Sequence, residues 1–221
     1  MRKNIKILSL LMLIFFSCTR KDSIGAIENS FGSDDLAQKG KMDDHLTTGN
    51  TVRDIVNHPA FKGFGELLLP LDDNTGSYDT KLSDIGSLMP YHSHVDPDIV
   101  IDAVNHLIDE VSNNKTICYD FYTEQQKQQD PNKRYTGLFF FRGNADAPFA
   151  IVCPGGGFSY VGSLHEGFPI AREISKKGFN AFVIRYRLGS EQKATEDLAA
   201  ALEFVFKNAK ILGVDTKAYS L

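Results

Sequence analysis

Cysteine is scarce in this sequence, and internal repeats, long apolar runs and, beyond the first few residues, basic clusters are missing. Three cysteines among 221 residues cannot form a disulfide framework, and no C-x-x-C pair suggests a zinc site. The net charge is −4, so the clustered Lys and Arg that bind nucleic-acid phosphates are lacking. Repeats with periods of about 20 to 50 residues are absent. These absences argue against nucleic acid as a partner, and neither a metal nor a cofactor is expected.

The longest apolar run, residues 7–16, is too short for a spanning helix, which needs about 20 residues. A basic start precedes the run and a polar segment follows it, which is typical of a secretory signal. The run ends at Ser17-Cys18, which resembles the signal of bacterial lipoproteins, although Phe15 stands where that family usually has Leu. The resemblance implies lipidation of Cys18. The alternative is an ordinary signal peptide that contains a cysteine.

Four segments follow from this reading of the chain. Hydrophobic residues make up 42% of the sequence and charged residues 24%, which allows a sizeable core. The predicted segments are a signal peptide at 1–17, a flexible polar tether at 18–50, a helical and irregular extension at 51–115, and an α/β domain at 116–221. The mature protein is expected to be exported and lipid-anchored in a bacterial cell envelope, in the periplasm or at the cell surface.

The first well-marked helix begins at Asp96-Pro97. An aspartate accepts hydrogen bonds from free backbone N–H groups at the N-cap, and proline suits the first helical position. Asn113-Asn114 ends the pattern. The predicted apolar face contains Val100, Ala103, Val104, Leu107, Ile108 and Val111.

Strand-like and helical patterns alternate after this helix. Strands are predicted at 116–122, 137–141, 148–153, 179–186 and 218–221, and helices at 168–177 and 195–212. Gly213 predicts the end of the last helix. This alternation is typical of an α/β fold with a mostly parallel sheet.

A glycine-rich loop follows the strand that ends at Cys153. Gly155, Gly156 and Gly157 stand in a row, and without Cβ atoms their backbone N–H groups can approach another molecule closely. Such donors can stabilise the oxyanion that forms during acyl transfer. The spacings of a dinucleotide loop and of a P-loop are both absent. A tight turn without chemistry is the simpler alternative.

The run 154–160 resembles the H-G-G-G oxyanion loop of α/β-hydrolase esterases and lipases, with Pro154 where that family often has His. Three later segments, 182–188, 196–201 and 212–221, resemble the family's next elements in the same order. The resemblance implies that Gly156 and Gly157 donate to the oxyanion and that Gly155 and Phe158 complete the loop. From about His58 onward, the chain is also similar to bacterial lipoproteins related to acetyl-xylan and feruloyl esterases.

The family's nucleophile motif, G-x-S-x-G, is absent from the 221 residues. The run 157–161 comes nearest, but it ends in Val161 and lies in the wrong loop. Because serine, acid and histidine follow one another in that order in this fold, we expect none of the six histidines to be the catalytic base. The sequence is therefore interpreted as the N-terminal part of a serine carboxylesterase, truncated before the nucleophile elbow and inactive by itself. The resemblance implies an ester substrate, a small molecule or an acylated polysaccharide.

Two other functions stay open at this point. The chain could be a lipid-anchored binding module or an inactive remnant that has lost catalysis. It could instead belong to a peptidase of the prolyl-oligopeptidase type, which shares the fold, although residues 19–115 are too short and too poor in strands for the propeller domain expected there.

Several polar residues outside the glycine loop have simpler interpretations than catalysis. His92 and His94 alternate with Asp96 and Asp98 as metal ligands do, but a helix cap explains Asp96 better. His165-Glu166 is interpreted as the start of a helix near the pocket.

Two further pairs of residues are expected to be structural. Arg185 and Arg187 could bind a substrate carboxylate, but a structural ion pair, with Asp197 or with a nearby loop, is the favoured interpretation. Cys118 and Cys153 are expected to be buried, inert thiols.

Overall fold

A computed structural model describes residues 44–89 and 94–221, and its centre is an open five-stranded sheet in the order β1-β2-β4-β3-β5. The strands are β1 (Cys118–Tyr119), β2 (Gly137–Phe141), β3 (Ala147–Val152), β4 (Asn180–Arg185) and β5 (Val214–Ser220). The prediction of five strands is confirmed, and β2 has the predicted bounds. The strand predicted at 116–122 contains only two paired residues, and β5 begins four positions earlier than predicted.

The sheet is mixed, so the prediction of a mostly parallel sheet is wrong. Strand β3 runs parallel to β4 and β5, whereas β2 runs antiparallel to β1 and β4. The connection from β2 to β3, residues 142–146, explains the difference. A parallel crossover needs about a dozen residues or more, so this short connection can only reverse the chain direction.

Five α-helices lie in the described residues: α1 (Val52–Val56), α2 (Pro97–Ser112), α3 (Glu124–Gln129), α4 (Phe168–Lys176) and α5 (Glu191–Leu212). Short 3₁₀ turns stand at Pro59–Phe61, Gly65–Leu68, Thr75–Ser77, Leu82–Leu88 and Pro131–Tyr135, and a π-helical turn at Ser163–Gly167 leads into α4. None of the helices in residues 44–89 and 94–221 is long and apolar enough to cross a membrane.

Helix α5 starts earlier than its apolar pattern predicts. Ser190 caps it by accepting a hydrogen bond from the Lys193 N–H, so the first turn is polar and has no apolar period. The predicted end is confirmed, because Gly213 has a φ of 66° and takes the left-handed conformation that closes many helices.

Both faces of the sheet are covered. Alternate residues of β2 and β4 point to opposite sides, as the pleat of a strand requires. Helices α2 and α4 and the extension before α2 pack on the face of Phe139, Phe141, Ala181 and Val183. Helix α5 packs on the face of Leu138, Phe140, Phe182 and Ile184.

The described part of the predicted tether already belongs to this folded unit. Leu46 is buried, and its backbone N–H and carbonyl both bond the side chain of Asn105 on α2, at 2.8 and 2.9 Å. Residues 44–50 therefore extend the ordered domain beyond the predicted boundary at residue 50. The other predictions for residues 1–43, including lipidation at Cys18, concern residues outside the described ranges.

The predicted start of helix α2 is confirmed, since the Asp96 carboxylate accepts a hydrogen bond from the Asp98 N–H at 3.0 Å.

We expect Asp96→Ala to lower the free energy of unfolding by about 1 kcal/mol, because an N-cap acceptor is lost. Urea unfolding followed by circular dichroism measures the change. Asp96→Ser, which keeps a capping oxygen, should stay close to the parent protein. An equal loss in both variants would show that the cap is not the cause.

Candidate functional site

The candidate site lies where β3 and β4 end. These neighbouring strands run parallel, and the helices that follow them, α4 and α5, pack on opposite faces of the sheet. The two connections therefore separate at the carboxyl ends of the strands and leave a crevice. Ligands of open α/β sheets bind in such crevices. The position of the glycine loop, between β3 and α4, follows from this topology.

A cavity of about 330 Å³ occupies the crevice. All four residues predicted for the loop, Gly155, Gly156, Gly157 and Phe158, line it. The other lining residues are Cys153, Pro154, Ile184, Tyr186, Ala194, Thr195 and Leu198. The structure thus brings the predicted loop together with the end of β4 and the first turns of α5. The sequence pattern predicts no place in the cavity for the lining residues of β4 and α5, although Tyr186 stands at a strand end that resembles the esterases.

The backbone of the loop requires glycine at one position above all. Gly156 has a φ of 144°, and a Cβ atom there would overlap the backbone carbonyl of Tyr160. Gly157 and Phe158 follow with φ values of 57° and 62°. Open space surrounds the position of a Cβ atom on Gly157. Gly156 is therefore required because a side chain there would clash. At Gly157, only the left-handed backbone favours glycine.

Hydrogen bonds hold the loop through its carbonyl groups, since those of Gly156 and Phe158 accept from the N–H groups of Ser159 and Gly189 at 3.0 and 2.8 Å. The Gly155 N–H donates to the Glu166 carboxylate at 2.8 Å, and the Gly155 carbonyl accepts from the Gly162 N–H at 2.9 Å. The backbone N–H groups of Gly156, Gly157 and Phe158 have no acceptor among residues 44–89 and 94–221. Three successive donors in the wall of a cavity are therefore available to a ligand, and a bound oxyanion or carboxylate is the group that they suit.

Two titratable side chains line the cavity, and both stay protonated near neutral pH. Burial raises the pKa of the Tyr186 phenol to about 12. The expectation of a buried Cys153 is wrong, because this residue is exposed at the cavity. Its position just past the last residue of β3 lets its side chain leave the sheet. Desolvation by the neighbouring atoms still raises the pKa of the Cys153 thiol, so it is a weak nucleophile.

Cys118 is half-buried, so the expectation of a buried thiol is met only in part. Desolvation raises its pKa to about 12, so this thiol is inert.

His165 and Glu166 do not form a catalytic pair. The His165 ring places Nε2 2.9 Å from the Ile85 carbonyl and is buried, while Glu166 bonds the Gly155 N–H. Neither side chain lines the cavity. Their predicted place near the start of a helix beside the pocket is confirmed, since both belong to the π-helical turn that leads into α4.

Arg185 and Arg187 form the structural ion pairs that the sequence predicts. Arg185 is buried and pairs with Asp72 at 2.8 Å. Arg187 pairs with Asp197, whose side chain is completely buried, at 2.8 Å. Asp130 also binds Arg187, at 2.5 Å. The neighbouring carboxylates of Asp197 and Glu196 outweigh desolvation, raise the pKa of Arg187 and keep its guanidinium charged.

Histidine is absent from the described cavity lining. His94 is described and exposed, whereas His92 lies outside the described residues, so the alternating pair is not tested as a metal site. Within residues 44–89 and 94–221, no group of three His, Cys, Asp or Glu side chains could hold a metal ion.

Comparisons with known proteins place the chain only coarsely. No protein-family model and no curated protein matches it. Several solved structures are similar to part of it, and three of them serve as examples. An α/β-hydrolase enzyme from a Medee basin deep-sea metagenome library has 24% identity over 38% of this chain and 39% of its own, with a TM-score of 0.35.

The second structure is an acetyl ester-xyloside bifunctional hydrolase from Caldicellulosiruptor lactoaceticus, with 23% identity over 46% of this chain and 40% of its own and a TM-score of 0.40. The third is a carboxylesterase from Lactobacillus plantarum, with 25% identity over 38% and 34% and a TM-score of 0.33. The chain spans 34% to 40% of the length of these structures. It is an α/β protein with partial structural similarity to α/β-hydrolase esterases.

Proposed function

We propose that this chain supplies the oxyanion loop of an exported serine carboxylesterase. The observation that carries the proposal is the row of backbone N–H groups at Gly156, Gly157 and Phe158, which line a cavity and have no acceptor within the described residues. Donors held ready for the charge that develops on an ester oxygen are worth about 2.7–4 kcal/mol of barrier lowering each. Gly156 and Gly157 are the proposed donors.

The chemistry of the cavity favours a neutral ester with a small acyl group. Among the described residues, no carboxylate, ammonium or guanidinium group lines the cavity, and most of its side chains are apolar. Ile184 and Leu198 offer an apolar surface to the acyl chain, while the glycine loop holds the carbonyl oxygen. Acyl groups on carbohydrate are the proposed physiological substrates, and this part of the proposal rests on the resemblance of the sequence alone.

The proposed nucleophile comes from outside these 221 residues. Of the lining side chains with a hydroxyl or thiol, Thr195 donates its hydroxyl to the Glu191 carbonyl at 2.9 Å, and the Cys153 thiol has a raised pKa. Tyr186 donates its hydroxyl to Pro154. In the part of the chain that the structure describes, no histidine lines the cavity beside these three groups to act as a base. In the proposed mechanism, a serine on an elbow beyond Leu221 attacks the ester carbonyl, the loop holds the oxyanion, and water then releases the acyl group.

Export and anchoring complete the proposal. A leader at 1–17 and a lipid on Cys18 place the domain at a bacterial membrane, with residues from Thr19 onward linking it to the lipid. This part is supported by the sequence pattern of the first residues only. Labelling with radioactive palmitate tests it, because Cys18→Ala should abolish incorporation and release the protein from the membrane fraction.

Ester hydrolysis tests the catalytic part of the proposal. The 221-residue chain is expected to hydrolyse p-nitrophenyl acetate no faster than buffer. A product of the same gene that continues through a G-x-S-x-G segment is expected to turn the ester over. Turnover by the 221-residue chain that survives purification would contradict the proposal. A longer product that folds but leaves esters intact would favour the lipid-anchored binding module, in which the same N–H groups hold a carboxylate ligand.

A further inference from the structure

One peptide group of the glycine loop is held at both of its polar atoms. The Pro154 carbonyl accepts a hydrogen bond from the Tyr186 hydroxyl at 2.7 Å, and the adjoining Gly155 N–H donates to Glu166 Oε2 at 2.8 Å. We propose that Glu166 and Tyr186 are positioning residues that hold the oxyanion donors in place. This inference rests on the proposed function, because it concerns the same donors.

The two partners approach the peptide from different elements. Tyr186 directly follows β4 and is buried, so it ties the loop to the sheet. Glu166 belongs to the π-helical turn before α4, and its own N–H donates to the Gly162 carbonyl at 2.9 Å. The Pro154–Gly155 peptide is thus fixed to the sheet and to the helix together. Glu166 does not line the cavity, so it acts on the loop without meeting the substrate.

The position of this peptide in the chain explains its importance. The next N–H groups along the chain, those of Gly156 and Gly157, are the proposed donors, and neither has an acceptor of its own among the described residues. The carbonyls of the same two peptides do accept hydrogen bonds, that of Gly155 from the Gly162 N–H at 2.9 Å and that of Gly156 from the Ser159 N–H at 3.0 Å, and these contacts restrain the loop from its far side. Fixing the peptide before them limits the directions that they can take. Donors that are already oriented need no rearrangement when charge develops on the substrate.

The contact of Tyr186 persists over a wide range of pH. Burial raises the pKa of Tyr186 to about 12, so its hydroxyl remains a donor through neutral and moderately alkaline solution. The Glu166 side chain needs only an acceptor oxygen, which the amide of glutamine also provides. Glu166→Gln therefore keeps the contact, whereas Glu166→Ala removes it. Tyr186→Phe removes the other contact and keeps the ring.

Nuclear magnetic resonance on the ¹⁵N-labelled 221-residue chain tests the inference without any catalytic readout. In the parent chain, the amide order parameters of Gly156 and Gly157 are expected near about 0.85, as in rigid backbone. Glu166→Ala and Tyr186→Phe are expected to lower them below about 0.6. Exchange of the Gly162 amide, which bonds the Gly155 carbonyl, should become about fivefold to tenfold faster when one such contact is lost.

Two further variants separate positioning from general destabilisation. Glu166→Gln should restore the order parameters of the parent chain. Glu173→Ala on α4, where the exposed Glu173 pairs with Lys176, should leave the loop unchanged. Unchanged order parameters in Glu166→Ala and Tyr186→Phe would overturn the inference. So would equal acceleration of amide exchange in β4 and in the loop, which would mean global unfolding. Because no ester is used, a failure here is distinct from a failure of the proposed esterase activity.

Discussion

Replacing Asp197 by alanine is expected to lower the free energy of unfolding by about 3–5 kcal/mol, because it breaks a buried ion pair and leaves a buried charge. The Asp197 side chain is completely buried. One carboxylate oxygen accepts from Arg187 Nε at 2.9 Å and from the Tyr122 hydroxyl at 2.6 Å, and the other accepts from the Arg187 backbone N–H at 2.6 Å. Alanine removes these three contacts and also the 2.8 Å contact with Arg187 Nη2.

Arg187 keeps only partial compensation in that variant. It is almost fully buried, and its remaining partners, Asp130 and Glu196, are 31% and 52% exposed. Because water reaches these two carboxylates, they offset less of the cost of burying the Arg187 charge than Asp197 does. Loss of the Asp197 contact should also disturb the cavity, because Ala194, Thr195 and Leu198 lie on the same helix and line it.

Urea unfolding at neutral pH, followed by fluorescence and circular dichroism, measures the effect. Glu196→Gln is the matched control, because it alters an exposed partner of the same arginine and is expected to change stability by less than about 1 kcal/mol. Tyr122→Phe removes one hydrogen bond and should lower stability by about 1 kcal/mol, which gives a measurable value if Asp197→Ala does not fold. A folded Asp197→Ala variant whose stability lies within about 1 kcal/mol of the parent protein would refute the structural role.

Gly156→Ala is expected to disrupt the loop more than any other alanine substitution within it. A Cβ atom would overlap the Tyr160 carbonyl, and the φ of 144° is unfavourable for any residue with a side chain. The backbone of the loop must therefore move, which displaces the proposed donors. We expect a stability loss of about 1–3 kcal/mol. In a gene product that contains the nucleophile, we expect kcat to fall about 10²- to 10³-fold, as after loss of one oxyanion donor.

Gly157→Ala is the matched control for this substitution. Its φ of 57° is left-handed, but open space surrounds the Cβ position. The expected stability loss is only about 1 kcal/mol, and the donors remain close to their places. Stability from urea unfolding and kcat from ester hydrolysis give the two readouts. Equal effects of the two substitutions would mean that the overlap at Gly156 is relieved without moving the loop.

The order of elements follows from local patterns in the sequence. The apolar run 137–141 predicts β2 with its observed bounds, and Asp96-Pro97 predicts the start of α2. Strand direction does not follow from apolar runs, because a run that is buried on both faces looks the same in parallel and antiparallel sheets. The connection between β2 and β3 does indicate the strand direction, because five residues are too few for a parallel crossover. The start of α5 was missed because its first turn is polar and depends on one cap, Ser190.

In the candidate site too, features set by adjacent residues could be predicted, whereas contacts between residues far apart in the chain could not. Three successive glycines after a strand predict the loop, because their effect lies in their own backbone. The contacts of Glu166 and Tyr186 join residues 11 and 32 positions away from their partners, and only the folded chain brings them together. Cys153 was misjudged for a similar reason. Its neighbours in the sequence are apolar, yet it stands one residue beyond β3 and faces the cavity.

Titration of the ¹⁵N-labelled chain with butyrate tests the central claim, that the glycine loop binds a negatively charged oxygen beside an apolar surface. The largest changes in amide chemical shift are expected at Gly156 and Gly157, with methyl shifts at Ile184 and Leu198. Butanol, which has the same alkyl chain and no carboxylate, should shift the methyl groups and leave the two amides nearly unchanged. Amide shifts equal for butyrate and butanol, or butyrate shifts confined to other parts of the surface, would contradict an oxyanion site in this loop.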